Sequence, residues 1–208
     1  MVDMDRVKIG VPGFDDLVEG GIPAGFAVLL SGSPGTGKTI FGLHFLKEGL
    51  SKGEKCIYVT YSQSGKDIID QAAEFGWDIK GVEFLEVKAE DFDDVLAGKS
   101  CKRLVLDSLS SVAVMTRDSL TRFIEKTKEA GCTAMLISEL PKDSQWFSRD
   151  TISEFLADGV ITLRSIEAAG EVKNLLKVEK MRSTKIERKS HIYDITESGF
   201  EVKTYKVR

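Results

Sequence analysis

The stretch Gly32-Ser33-Pro34-Gly35-Thr36-Gly37-Lys38-Thr39 decides the fold. It fits the pattern G-x-x-x-x-G-K-[ST], and its surroundings fit the context that pattern requires. Residues 26–30 before it are an apolar run bounded by glycines, read as a buried strand. Residues 40–50 after it repeat apolar side chains at helical spacing (Ile40, Leu43, Phe45, Leu46, Leu50), ending before Gly53. In a strand–loop–helix unit of this kind the glycines let backbone N–H groups turn inward around phosphate oxygens. Lys38 brings a positive charge to the β- and γ-phosphates, the Thr39 hydroxyl is a ligand for Mg²⁺, and the helix adds its N-terminal dipole. The competing reading is a glycine-rich turn with no ligand, which the flanking strand and helix disfavour.

Working outward, strand-like and helix-like segments alternate. Strands are expected at 55–61, 82–87, 103–106 and 133–138. Helices are expected at 66–75, 91–96 and 118–130, the first ending at Gly76, the second near Gly98 and the last at Gly131. This βαβα order predicts an α/β fold with a mostly parallel central sheet and helices on both faces. The last third reads differently. Segments 160–164, 174–181, 191–195 and 200–205 are expected as strands joined by hairpins, with turns at Gly170 and at Glu197-Ser198-Gly199, extending the sheet with antiparallel strands.

A phosphate loop needs an acid at the tip of a neighbouring buried strand. Leu104-Val105-Leu106-Asp107 supplies one, and Asp107 is assigned to the metal with Thr39. The plainer role for such a residue is a cap or turn, for which Ser108 competes.

Composition sets limits. With 42% hydrophobic and 30% charged residues in 208, the chain is globular and large enough for one sizeable core. A net charge of −4 does not suggest a default nucleic-acid or membrane binder. The charge is uneven: from Lys173 onward there are ten basic and five acidic residues, against 19 and 28 in the remainder. The basic tail is either a solvated surface or has a job. No run approaches 18 apolar residues, so no membrane span is expected. Cys56, Cys101 and Cys132 lie near strand starts with no metal-type spacing, which predicts buried free thiols and a reducing cytoplasm. Of the two histidines, His44 is expected to pack within its helix, and His191 falls in the basic tail.

These residues also carry a likeness. Gly10-Val11-Pro12-Gly13-Phe14-Asp15-Asp16-Leu17, then Gly20-Gly21-Ile22-Pro23-Ala24-Gly25 and the phosphate loop, resemble the RecA superfamily. The likeness is greatest to its KaiC-type branch, including single-domain archaeal members, with RadA recombinases as relatives. Phe75-Gly76-Trp77-Asp78 and Lys180-Met181-Arg182-Ser183-Thr184 resemble segments of that branch, the latter with Ser183 where the family often has glycine. The resemblance covers nearly the whole chain and implies a single RecA-like ATP-binding domain over residues 1–208. It further implies a homo-oligomeric ring with Mg·ATP between subunits, in which Lys180 and Arg182 reach the neighbour's γ-phosphate. The alternative for these two is that they are merely outward residues of a strand.

One departure bears on activity. Family members that hydrolyse ATP carry one or two Glu after the strand matching 55–61, where this chain has Ser62 and Gln63. Gln63 can orient a water but is no base, and general-base assistance is worth about 10²–10⁴-fold in rate. Slow or absent hydrolysis follows, unless Gln63 suffices or Glu139, at the end of the 133–138 strand, stands in. The expected function is a nucleotide-dependent assembly or signalling module, with a possible protein partner. The rival is a DNA-dependent ATPase of the RadA-paralogue type, with Trp146 and Phe147 between Lys142 and Arg149 as stacking residues. Against it stand the acidic charge and the lack of support from a separate N-terminal DNA-binding domain, the core being expected to begin almost at Met1. The missing Asn-Lys-x-Asp guanine motif tilts the nucleotide to ATP.

Overall fold

The computed structural model describes residues 4–88, 92, 95–112, 116–142, 144–168 and 170–203. Near the N-terminus, β1 (Arg6–Val7) pairs antiparallel with β2 (Ile22–Pro23) around a 3-10 turn at Asp15–Val18. The chain continues through β3 (Ala27–Gly32), α1 (Lys38–Ser51), β4 (Cys56–Thr60), α2 (Gly65–Glu74) and β5 (Glu83–Glu86). Next come β6 (Arg103–Asp107), α3 (Arg117–Glu129), β7 (Thr133–Glu139) and α4 (Ser153–Leu156). The last four elements are β8 (Gly159–Ala168), β9 (Glu171–Met181), β10 (His191–Thr196) and β11 (Gly199–Val202).

Nine strands form one sheet in the order β11-β10-β9-β8-β3-β7-β6-β4-β5. From β8 to β5 all neighbours are parallel, whereas β9, β10 and β11 attach antiparallel. The expected mixed α/β architecture is therefore present, with one refinement. Segment 160–164 does not join the antiparallel set through its upstream neighbour; as β8 it lies parallel to β3.

Two apolar clusters lie on opposite faces of the sheet. One packs Ile40, Phe41, Leu43, Phe45 and Leu46 of α1 with Ile68 and Ala72 of α2 against Val28, Leu30, Tyr58, Val105 and Ile137. The other packs Leu120, Phe123 and Ile124 of α3 against Ala27, Leu29, Leu104, Leu106 and Leu136. Strand alternation divides β3 between them, Val28 and Leu30 to one face and Ala27 and Leu29 to the other. Buried on both faces, the parallel strands read as continuous apolar runs. Each fully buried Leu, Ile or Phe contributes about 1.5–3 kcal/mol.

Two sequence expectations change. Cys101 and Cys132 are not free thiols: they form a disulfide, and only Cys56 is free and buried. Arg103 and Thr133 pair in register on adjacent parallel strands, so the cysteines just ahead of them meet with a Cα separation of 5.5 Å, inside the range a disulfide requires. That neighbourhood comes from strand order and is invisible at a sequence separation of 31. Of the helix expected at 91–96, residues 91, 93 and 94 lie outside the described residues.

Candidate functional site

The phosphate loop connects β3 to α1 at the carboxyl end of the parallel strands, where open α/β sheets bind ligands. Gly37 holds φ of 84°, a left-handed conformation natural to glycine. A Cβ there would also lie 2.7 Å from Ile195 Cδ1. The loop is closed on itself: the Thr36 hydroxyl donates to Ser33 O at 2.8 Å and Lys38 Nζ donates to the same carbonyl at 3.0 Å. From β10, the Tyr193 hydroxyl donates to Thr36 O at 2.8 Å.

The helix starts differ. α2 and α3 each begin with a capping box, Ser64 with Asp67 and Thr116 with Ser119. α1 has no side-chain cap, so its first N–H groups and dipole are available to an anion. Lys38 is buried beside them; burial lowers its pKa, opposed first by the charge of Glu139 and then by that of Asp107.

The structure brings Asp107 to Thr39. The Thr39 hydroxyl donates to Asp107 Oδ2 at 2.9 Å, and the Tyr58 hydroxyl donates to the same oxygen at 2.7 Å. Burial raises the Asp107 pKa, opposed by the Tyr58 and Thr39 hydrogen bonds and by Lys38. Mg²⁺ prefers a few oxygen ligands and keeps several waters. One hydroxyl and one carboxylate, side by side at the mouth of a phosphate loop, fit that preference.

Glu139 ends β7 with its side chain exposed, and its charge acts on both Lys38 and Asp107. Ser62 and Gln63 follow β4, next to β6. Their N–H groups donate to Thr60 Oγ1, at 3.4 and 3.1 Å, and that hydroxyl donates to Gln63 O at 2.9 Å. This fixes the backbone of the turn and leaves the Gln63 side chain at the surface.

Lys180 and Arg182 are not brought to the phosphate loop of their own chain. Lys180 pairs with Val160 and Val160 with Leu29, toward the amino end of β3 and away from Gly32. Lys180 Nζ donates to Ala157 O at 2.6 Å and Glu154 O at 3.1 Å. Burial and then the Arg182 charge lower its pKa. Arg182 pairs with Asp158 at 2.9 Å, and Asp158 also pairs with Lys128 and accepts from Ala27 N at 3.0 Å.

His44 is a packing residue as expected: its Nε2 accepts the Phe200 N–H at 3.0 Å, and its ring meets Trp77 at 4.4 Å. His191 is buried on β10, 3.5 Å from Glu187. Sequence reading missed Tyr58, Tyr193, Ile195 and Phe200 around the loop. Alternation along β4 places Tyr58 on the α1 face, a signal that was present. Tyr193 lies 157 residues from Thr36 and gave none.

A parallel sheet carrying its phosphate loop on a central strand, its acid two strands away and its last strands antiparallel defines a RecA-type P-loop NTPase fold. The profile "ATPase: KaiC" matches residues 7–89 and 85–207. The chain belongs to this KaiC ATPase family. A UPF0273 protein of Pyrococcus horikoshii is 34% identical, over 97% of this chain and 95% of that one. The circadian clock oscillator protein KaiC of Prochlorococcus marinus is 30% identical over 88% of this chain, which spans 42% of that protein. The crystal structure of a KaiC-like protein from the hyperthermophilic archaeon Pyrococcus horikoshii OT3 superposes with a TM-score of 0.87 at 34% identity, covering 97% of this chain and all of that one. The RadA-type reading is not favoured by these relatives. Trp146 is 63% exposed, while Phe147 packs onto the α3-side core.

Proposed function

We propose that this chain is a single-domain, ATP-binding module that assembles into a homo-oligomeric ring with Mg·ATP between subunits, hydrolyses it slowly or not at all, and works in the cytoplasm by nucleotide-dependent assembly or signalling. The observation carrying this reading is the cluster of Lys38, Thr39 and Asp107 at an uncapped helix start, beside a turn with no carboxylate at Ser62 and Gln63. Residues 32–39 would take the triphosphate, and Thr39 and Asp107 would hold Mg²⁺, which would supply positive charge to screen the phosphates. Gln63 orients water without accepting a proton, and Glu139, within electrostatic reach of Lys38, is a candidate carboxylate for that task.

Ring assembly is supported by the placement of Lys180 and Arg182. They lie too far along the sheet to serve their own loop, so any phosphate they contact belongs to a neighbour. Among the described residues no helix is long and apolar enough to cross a membrane. The Cys101–Cys132 disulfide does not exclude the cytoplasm, because intracellular proteins of hyperthermophiles carry disulfides.

The test measures ATP affinity and steady-state hydrolysis on one sample, with particle mass in ATP, in ADP and without nucleotide. Tight binding, turnover well below that of Glu-bearing relatives and a mass that rises with ATP are expected. Rapid turnover, or a mass indifferent to nucleotide, refutes the reading.

A further inference from the structure

Tyr58 is a costly residue for its position. It is completely buried among the α1-side apolar groups, with its ring 5.8 Å from that of Phe84. A phenylalanine would fill nearly the same volume without a hydroxyl to desolvate. A buried hydroxyl is tolerated when it is hydrogen-bonded, and an unpaired one costs about 1–3 kcal/mol. This hydroxyl has one acceptor, Asp107 Oδ2 at 2.7 Å.

The geometry around Asp107 gives that bond a purpose. Tyr58 reaches Asp107 from β4 and Thr39 reaches it from the first turn of α1, and both donate to Oδ2. Asp107 Oδ1 takes no hydrogen bond among the described residues. Two donors from different elements hold the carboxylate through one oxygen and leave Oδ1 without a hydrogen bond among the described residues. Groups that orient a metal-facing ligand from behind are worth about 10–100-fold in metal affinity. Tyr58 stands behind Asp107 in this sense, its ring buried and its hydroxyl spent on the carboxylate.

We infer that Tyr58 is a positioning residue for the metal: its hydroxyl, donated to Asp107 Oδ2, orients the carboxylate that holds Mg²⁺ against bound ATP. This rests on the reading of Asp107 as the metal-facing acid.

The experiment compares ATP affinity in excess Mg²⁺ and in EDTA for wild type, Tyr58→Phe, Asp107→Asn and Phe84→Leu, with Mn²⁺ replacing Mg²⁺ so that bound metal is counted by electron paramagnetic resonance. Tyr58→Phe is expected to weaken Mn²⁺ binding to the ATP complex about 10–100-fold while leaving affinity in EDTA close to that of wild type, because the hydroxyl acts through Asp107. Phe84→Leu loosens the ring's packing without touching the hydroxyl and is expected to lower the melting temperature and leave metal affinity alone. An equal loss with and without metal in Tyr58→Phe, no loss at all, or the same metal loss in Phe84→Leu, overturns the inference. Asp107→Asn separates the two readings: if it keeps the full gain from metal, the metal role of Asp107 has failed; if it loses the gain while Tyr58→Phe keeps it, only the role of Tyr58 has.

Discussion

The two ends of the parallel strands treat their charges in opposite ways. At the carboxyl end, α1 begins without a side-chain cap, and Lys38 is buried with a single carbonyl as its hydrogen-bond partner among the described residues. At the amino end, Lys180 and Arg182 are already matched within the chain. Lys180 donates to carbonyls of α4 and of the residue after it, and Arg182 and Lys128 share the buried carboxylate of Asp158, which also bonds the first N–H of β3. The first end is built with unmet capacity for an anion. The second is self-satisfied, so a phosphate from a neighbouring subunit must offer Lys180 and Arg182 more than these contacts do.

Four changes would break or sharpen this contrast. Gln63→Glu adds a carboxylate to the turn after β4, and steady-state turnover is expected to rise by about 100-fold or more. A rate no higher than wild type would mean that the missing base is not what limits hydrolysis. The next concerns His44, which ties β11 to α1 beneath the loop. Burial, with the charge of Lys47, depresses its pKa to about 4. The fold therefore prefers the neutral ring: the contribution is whole above the unfolded value of about 6.5 and is lost as pH falls toward 4, amounting to roughly 3 kcal/mol. Chemical denaturation from pH 7 to 4 should show that loss, and His44→Gln should flatten the profile.

Asp158→Ala strikes the amino end. It strands the Ala27 N–H and two cations, of which Arg182 is half exposed, so the expected destabilisation is about 2–3 kcal/mol, below that for a fully buried pair. Affinity for ATP in the isolated subunit should be unchanged, because the phosphate loop lies at the other end. Lys180→Met is expected to be mildest for the isolated chain, within about 1 kcal/mol by thermal melting, since its partners are carbonyls that water reaches once it is gone. Loss of ATP-dependent assembly in that variant would assign Lys180 to the neighbour's nucleotide; assembly like wild type would leave it a strand residue.

Much of this was legible in residue order. The phosphate loop, the strand before it and the helix after it are contiguous, so their period and glycines declare them. Asp107 was legible because a buried strand ends on it. Expected boundaries moved by a few residues, as with 40–50, which extends to Lys38–Ser51 once the loop residues Lys38 and Thr39 are seen to open the helix. The disulfide was misread because Cys101 and Cys132 become neighbours only through the placing of β6 beside β7.

The sequence by itself determined the local chemistry: a glycine-rich loop with Lys38 and Thr39, an acid at Asp107, no carboxylate at Ser62 and Gln63, and a parallel sheet with an antiparallel extension. These are properties of short segments, carried by spacing and side-chain type. Only the tertiary structure decided which distant groups meet. It set Tyr58 behind Asp107, Tyr193 beneath Thr36, Asp158 beneath Arg182, and Lys180 away from its own loop. The reason is physical. Strand order is chosen by the burial of whole faces, and a contact between side chains far apart in sequence has no local pattern to announce it.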